Sequence, residues 1–172
     1  MELRIPTLEQ LRTVYDRDLR TAFPAAELKP LRNMEEMWAR GQYRPWCLFD
    51  GDDIAGEEFL WLGHPGWALR DYRCVASDRR NGGLGSVILE KLREAEGDTV
   101  IFGESEIPDY APDPAMAERR LGFYARSGAR TAGYDTEMFG VPYKTRPLYT
   151  SDAAHESRGA RPGGRRRTTN QP

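Results

Sequence analysis

With 172 residues, 39% of them hydrophobic, the chain is long enough for one globular domain with a substantial core. A net charge of −2 gives no global attraction to nucleic acid or anionic membrane. No run approaches about 18 consecutive apolar residues and the N-terminus has no signal-peptide core, so a soluble, cytoplasmic protein is expected.

Residues 7–22 open with Thr7 ahead of an acidic first turn, a helix start signal, and Leu8, Leu11, Val14, Tyr15 and Leu19 make one apolar face at helical spacing. Phe23-Pro24 ends this helix. An extended loop, 23–31, leads to a second helix at 31–40, with Leu31, Met34, Met37 and Trp38 on one side and Gly41 as its stop. Two apolar runs, 45–50 and 54–62, joined by a Gly/Asp turn, read as a hairpin. Cys47 and Cys74 lie in strand-like runs without disulfide or zinc spacing and read as small buried thiols. His64, in the turn 63–66, reads as structural or solvated. The next strand, 67–76, carries Arg70, Asp71 and Arg73 in an otherwise apolar run. Strict alternation puts Leu69, Asp71, Arg73 and Val75 on one face and Arg70, Tyr72, Cys74 and Ala76 on the other.

That strand runs into Arg79, Arg80 and a turn rich in glycine (Asn81, Gly82, Gly83, Leu84, Gly85, Ser86), followed by an apolar helical stripe of Leu84, Val87, Ile88, Leu92 and Ala95. The first amides of a helix lack intrahelical partners and its dipole favours negative charge. Glycine lets backbone approach closely. The stretch reads as a cradle for a phosphate or pyrophosphate. It lacks the Lys-Ser/Thr ending of a nucleotide P-loop and the spacing and distal acid of a dinucleotide loop.

Residues 98–106 form a buried strand that ends in Glu104, Ser105 and Glu106. The two carboxylates share a face at its C-terminal end, where ligands of open α/β sheets collect. A helix over 114–127 aligns Ala117, Leu121 and Tyr124 on one stripe, interrupted by Gly122 at a cost of about 1 kcal/mol relative to Ala. Two final strands are expected around 139–143. From Ser151 on there is no apolar periodicity, and five arginines face Asp152 and Glu156. This local +3 leaves −5 for residues 1–150, and 151–172 reads as a disordered basic tail behind one domain, 1–150.

The spacing Arg80-x-x-Gly83-x-Gly85, with the later segment RRLGFYARSG (119–128), resembles the GNAT superfamily of N-acetyltransferases, whose coenzyme A loop reads Gln/Arg-x-x-Gly-x-Gly/Ala. The likeness covers roughly residues 7–149. It departs from the family where Ala129 follows Gly128 in place of the usual aromatic. The resemblance implies an α/β (α+β) GNAT fold, a mixed and mostly antiparallel sheet flanked by helices. Its splayed central strands would form the coenzyme A cleft.

It also implies transfer of an acetyl group from acetyl-CoA directly to a primary amine in a ternary complex, with no metal. Arg80, Asn81, Gly82, Gly83, Leu84, Gly85 and Ser86 would hold the pyrophosphate, while the backbone of Cys74, Val75 and Ala76 would pair with the pantetheine. Phe23, Glu27, Lys29, Asp71 and Glu106 are candidates for the acceptor side. Tyr124 corresponds to the tyrosine that protonates the leaving thiolate, and a phenol with pKa near about 10 can serve as that acid. The acceptor ammonium must lose a proton before it attacks, and close carboxylates raise one another's pKa as a general base requires. Glu104 is the first choice for that base, with Asp71 and Glu106 behind it. Other readings are a non-catalytic acyl-CoA-binding regulatory module, an acyltransferase with another donor, or a nucleic-acid binder acting through the tail. The negative body argues against the last. Homodimers are common in the family.

Overall fold

Helices and strands alternate along the chain much as their periodicities require, and pairing decides the rest. In a computed structural model, the described residues are 1–130, 135–138 and 141–148. The expected tail, 151–172, and residues 139–140 lie outside them. Among the described residues, a seven-stranded sheet runs in the order β1-β2-β3-β4-β5-β7-β6. Its strands are β1 (Glu2–Arg4), β2 (Tyr43–Asp50), β3 (Asp53–His64), β4 (Trp67–Val75), β5 (Val100–Glu106), β6 (Asp135–Met138) and β7 (Val141–Leu148). Only β4 and β5 are parallel; every other neighbouring pair is antiparallel. The three residues of β1 are too few to show periodicity, and they become a strand by pairing with Cys47, Leu48 and Phe49.

One face of the sheet is covered by the N-terminal helices. Thr7 caps α1 (Leu8–Val14) reciprocally: its hydroxyl accepts the Gln10 N–H at 3.2 Å, and Gln10 Oε1 accepts the Thr7 N–H at 2.8 Å. The helix then widens into a π-turn over Tyr15–Leu19 and closes with α2 (Arg20–Ala22), so the expected helix 7–22 is one rod with a wide turn inside it. After the loop comes α3 (Leu31–Ala39). Leu11, Val14, Leu19 and Met34 pack on Tyr43, Cys47, Phe49, Phe59, Tyr72 and Cys74 of the sheet.

The opposite face carries α4 (Leu84–Glu96) and α5 (Pro114–Arg126). Leu84 and Ile88 cover Leu48 and Ala55, and Leu89 and Leu92 cover Leu60, Ala68 and Ile101. Gly56 makes this close approach possible, because a Cβ there would lie 2.9 Å from Ile88 Cδ1 and 2.9 Å from the Cys74 carbonyl. The stripe of α4 ends differently from the expectation. Ala95 is exposed, and Glu96, four residues after Leu92, takes the inward position. Its carboxylate is tolerated inside because Trp46 Nε1 donates to it at 2.6 Å and Arg44 Nη1 at 2.5 Å. Gly122 does not break α5, which runs unbroken to Arg126.

The alternation expected for β4 is also corrected. Phe59 pairs with Tyr72 and Leu60 with Arg70, leaving Asp71 without a partner on β3. One inserted residue reverses the phase of every side chain beyond it. Arg70 and Arg73 therefore share a face, where both meet Glu58. Asp71, Tyr72 and Cys74 turn to the face of α1 and α3. Among the described residues no helix is long and apolar enough to cross a membrane.

Candidate functional site

The sheet opens at its centre. β4 and β5 pair only at Trp67–Val100, Ala68–Ile101 and Leu69–Phe102. Beyond Leu69, β4 stays with β3, whereas Ile101–Glu106 follow β7. The two parallel strands thus diverge towards their C-terminal ends. Arg70 occupies the start of the gap, and Gly103 of β5 gives it room: a Cβ on Gly103 would overlap the Arg70 guanidinium.

At the mouth of the gap, β4 passes through a short helical turn, Ser77–Arg79, into the glycine segment. Asn81 and Gly83 both have positive φ, 66° and 78°, a conformation that glycine adopts without strain. Gly83 caps α4, and the Ser86 N–H, at 3.0 Å from the Gly83 carbonyl, is the first to bond back into the helix. The Leu84 and Gly85 amides precede that bond and point out of the first turn. Gly85 has a second duty, since its Cβ would come 3.2 Å from the Phe123 ring.

The flanking arginines divide. Arg79 is bound to Asp50 at 2.8 Å. Exposed Arg80 lies back over the strand end, donating from Nε to the Val75 carbonyl at 3.1 Å, with Nη2 3.9 Å from Cys74 Sγ. Cys74 is buried, and burial followed by the Glu57 charge pushes its thiol up to about 11. The Ala76 N–H is already engaged by the Ala55 carbonyl at 3.0 Å.

On the α5 side of the gap sits Tyr124. The Arg70 guanidinium carbon lies 4.5 Å from its ring centre and that of Arg73 5.6 Å. Glu58, with no exposed surface, holds Arg70 Nε at 2.6 Å and Arg73 Nε at 2.5 Å. Burial alone would raise the Tyr124 pKa, but the two guanidinium charges outweigh it and the phenol sits below its ordinary value.

The expected acceptor residues converge in two groups, the first of them on the face of α1 and α3. Tyr72 is the hub of the first. Its hydroxyl donates to the Glu27 carbonyl at 2.7 Å and accepts the Lys29 N–H at 2.8 Å, and Phe23 meets its ring edge-on at 5.0 Å. Burial raises this phenol to about 12. Asp71, the bulged residue, takes Lys29 Nζ at 2.5 Å and the Tyr43 hydroxyl at 2.7 Å.

The second group surrounds Tyr143 of β7. Burial, then the charges of Glu27, Glu106 and Glu104, raise its pKa. Glu104 accepts from Thr136 Oγ1 at 3.1 Å, and Glu106 is paired with Arg120 of α5 at 2.7 Å. His64 is exposed, with Nδ1 2.9 Å from the Pro65 carbonyl. Among the described residues no three His, Cys, Asp or Glu side chains gather as metal ligands would.

Sequence reasoning missed Tyr143, Gly103 and the Glu58–Arg70–Arg73 group. Two adjacent glutamates inside an apolar strand, followed by two arginines in the next, were the available signal for the last of these.

No protein-family model matches the chain, and no curated protein matches it. Solved structures do. A protein assigned to the GNAT acetyltransferases, from Bacteroides thetaiotaomicron, superposes with a TM-score of 0.71 at 24% identity, over 92% of this chain and 93% of that one. An aminoglycoside 6′-N-acetyltransferase complexed with coenzyme A gives 0.67 at 14% identity, over 88% and 98%. A spermidine/spermine N-acetyltransferase from Vibrio cholerae gives 0.64 at 11% identity, over 90% and 95%. At such identities the likeness is one of architecture, and it extends over nearly the whole of each chain: this protein has the fold of the GNAT acetyltransferases.

Proposed function

We propose that the protein is an N-acetyltransferase that takes acetyl-CoA as donor and a primary amine as acceptor. The observation that carries this reading is the parting of β4 from β5, with the Gly83 turn at its mouth and Tyr124 along its wall. Coenzyme A suits such a gap. The unpaired strand edge offers peptide groups to an extended amide-bearing arm, and the first-turn amides with Arg80 offer donors and charge to a pyrophosphate. Bound acetyl-CoA would supply an activated acyl thioester.

The chain's own residues then have separate duties. Arg80 leaves the Val75 carbonyl for the pyrophosphate, freeing that carbonyl to accept a hydrogen bond. Glu27, Glu104 and Glu106 surround the acceptor side with negative charge, which draws an ammonium group. Glu104 removes the proton from that ammonium, and Tyr124 gives its proton to the departing sulfur. Solved structures with this fold include enzymes named for aminoglycoside and for spermidine/spermine N-acetylation, so an amine acceptor suits the architecture.

The test is calorimetric titration of acetyl-CoA into the wild type and into a variant with Gly83 and Gly85 replaced by valine, followed by an amine panel. The expected result is binding that the variant loses, with turnover on at least one amine that Tyr124→Phe lowers far more than it lowers acetyl-CoA affinity. No binding by the wild type would overturn the reading. Binding without turnover on any amine would reduce it to an acyl-CoA-binding module.

A further inference from the structure

Tyr124 does not sit in the surroundings of an ordinary phenol. Arg70 and Arg73 expose only 6% and 10% of their side chains, and both approach its ring. Glu58 supplies one negative charge for their two positive ones. Among the described residues, Nη2 of Arg70 and both Nη atoms of Arg73 are buried with no well-formed hydrogen bond, and the Tyr124 side chain is the acceptor both guanidinium groups approach. The titratable groups facing Tyr124, among the described residues, are these two arginines of β4 and Glu58 of β3. One buried positive charge is left over beside the phenol, and an uncompensated charge away from water is costly. A phenolate at this position removes the imbalance.

The consequence rests on the function proposed above. An ordinary phenol ionises near about 10 and an alkyl thiol near about 8.5, so passing a proton from phenol to thiolate is uphill by about thirtyfold. We propose that Arg70 and Arg73, tied together by Glu58, are positioning residues that hold the negative charge left on Tyr124 when it gives up its proton. In the step concerned, the amine nitrogen forms a bond to the acyl carbon and the carbon–sulfur bond breaks with its electron pair on sulfur. The phenol proton moves to that sulfur. The acylated nitrogen sheds its extra proton to water, and the phenolate left behind faces the surplus guanidinium charge until that proton is returned to it.

The test needs no ligand. The ultraviolet absorbance of tyrosinate is titrated with pH in the full chain, and the Tyr124→Phe titration is subtracted from the wild type. The expected difference is one phenol ionising below about 10. Arg73→Gln moves it up, Arg73→Lys restores much of the wild-type position, and Glu58→Gln moves it down. Opposite shifts from removing a cation and an anion are not produced by loosened packing. Ionisation of Tyr124 at or above the ordinary phenol value in the wild type overturns the proposal, and that result requires no clamp variant to fold. Because the readout is independent of acetyl-CoA, a low phenol in a protein that binds no acetyl-CoA would keep the clamp and discard the acetyltransferase reading.

Discussion

Glu57 and Glu58 are neighbours on β3, and neither has any exposed surface, yet they live in opposite electrostatic worlds. Alternation along the strand sends Glu58 to the α5 face, between two arginines. It sends Glu57 to the α1 face, where the cross-strand partners are Cys47 on one side and Cys74 on the other. Apart from the Cys74 thiol, neither Glu57 oxygen has a hydrogen-bond partner among the described residues. Burial, then the nearby charge of Asp18, lifts its pKa well above the carboxylate range despite Arg17 and Arg80. Burial therefore favours the neutral acid at Glu57, whereas Glu58 sits between two guanidinium groups. The same residue type, one position apart, meets either setting according to which side of the sheet supplies its partners.

The contrast breaks most visibly at Glu58. Glu58→Ala leaves two arginines buried without a counter-charge, and a loss of about 3–5 kcal/mol is expected in urea unfolding. A loss under about 1 kcal/mol would show that Glu58 is not what makes their burial tolerable.

Glu57→Gln should go the other way. The folded chain keeps the Glu57 proton, while the unfolded chain releases it above its ordinary value of 4.5. Wild-type stability from this group therefore falls as pH rises through that window. The glutamine is spared this loss, so the variant gains on the wild type by on the order of 1 kcal/mol for each pH unit across the window. The gap closes below it. Urea midpoints at a series of pH values measure the slope, and parallel curves would mean that Glu57 is ionised in the fold.

Gly103→Ala sharpens the comparison at lower cost. It overpacks only the Glu58 face by pushing on Arg70, with a loss of about 1–3 kcal/mol expected. It should also raise the ionisation of Tyr124 while leaving the pH slope due to Glu57 untouched.

Much of this architecture was legible in the sequence. The periods of α1, α3, α4 and α5 and the hairpin turn are local properties, and local properties can be read from a window of residues. The glycine turn was legible for the same reason. What escaped depends on which strand lies alongside. The bulge at Asp71 exists only in the register between β3 and β4, and without it Arg70 and Arg73 fall on opposite faces and the cluster beneath Tyr124 cannot be seen. Glu96 reads as a solvent residue until Arg44 and Trp46, some fifty positions earlier, arrive to bond it. Arg79 and Arg80 are adjacent basic residues of one loop, and only the position of Asp50 separates a salt-bridged arginine from one that lies over the cleft. At the candidate site, the glycines announced themselves by type, whereas Tyr143 joined Glu27, Glu104 and Glu106 only through the fold of β7.

The three shared pairs of β4 and β5 have a consequence for self-association. A strand edge with free peptide groups ordinarily invites another protein chain to extend the sheet, and proteins guard such edges at the sheet's periphery. Here the unpaired stretch beyond Leu69 lies in the interior of the sheet, walled by β5 and its partner β7. A whole β-strand, bearing side chains on both of its faces, is kept from that slot. A slender unbranched chain is not, so the protein carries an adhesive edge that is safe from its own kind.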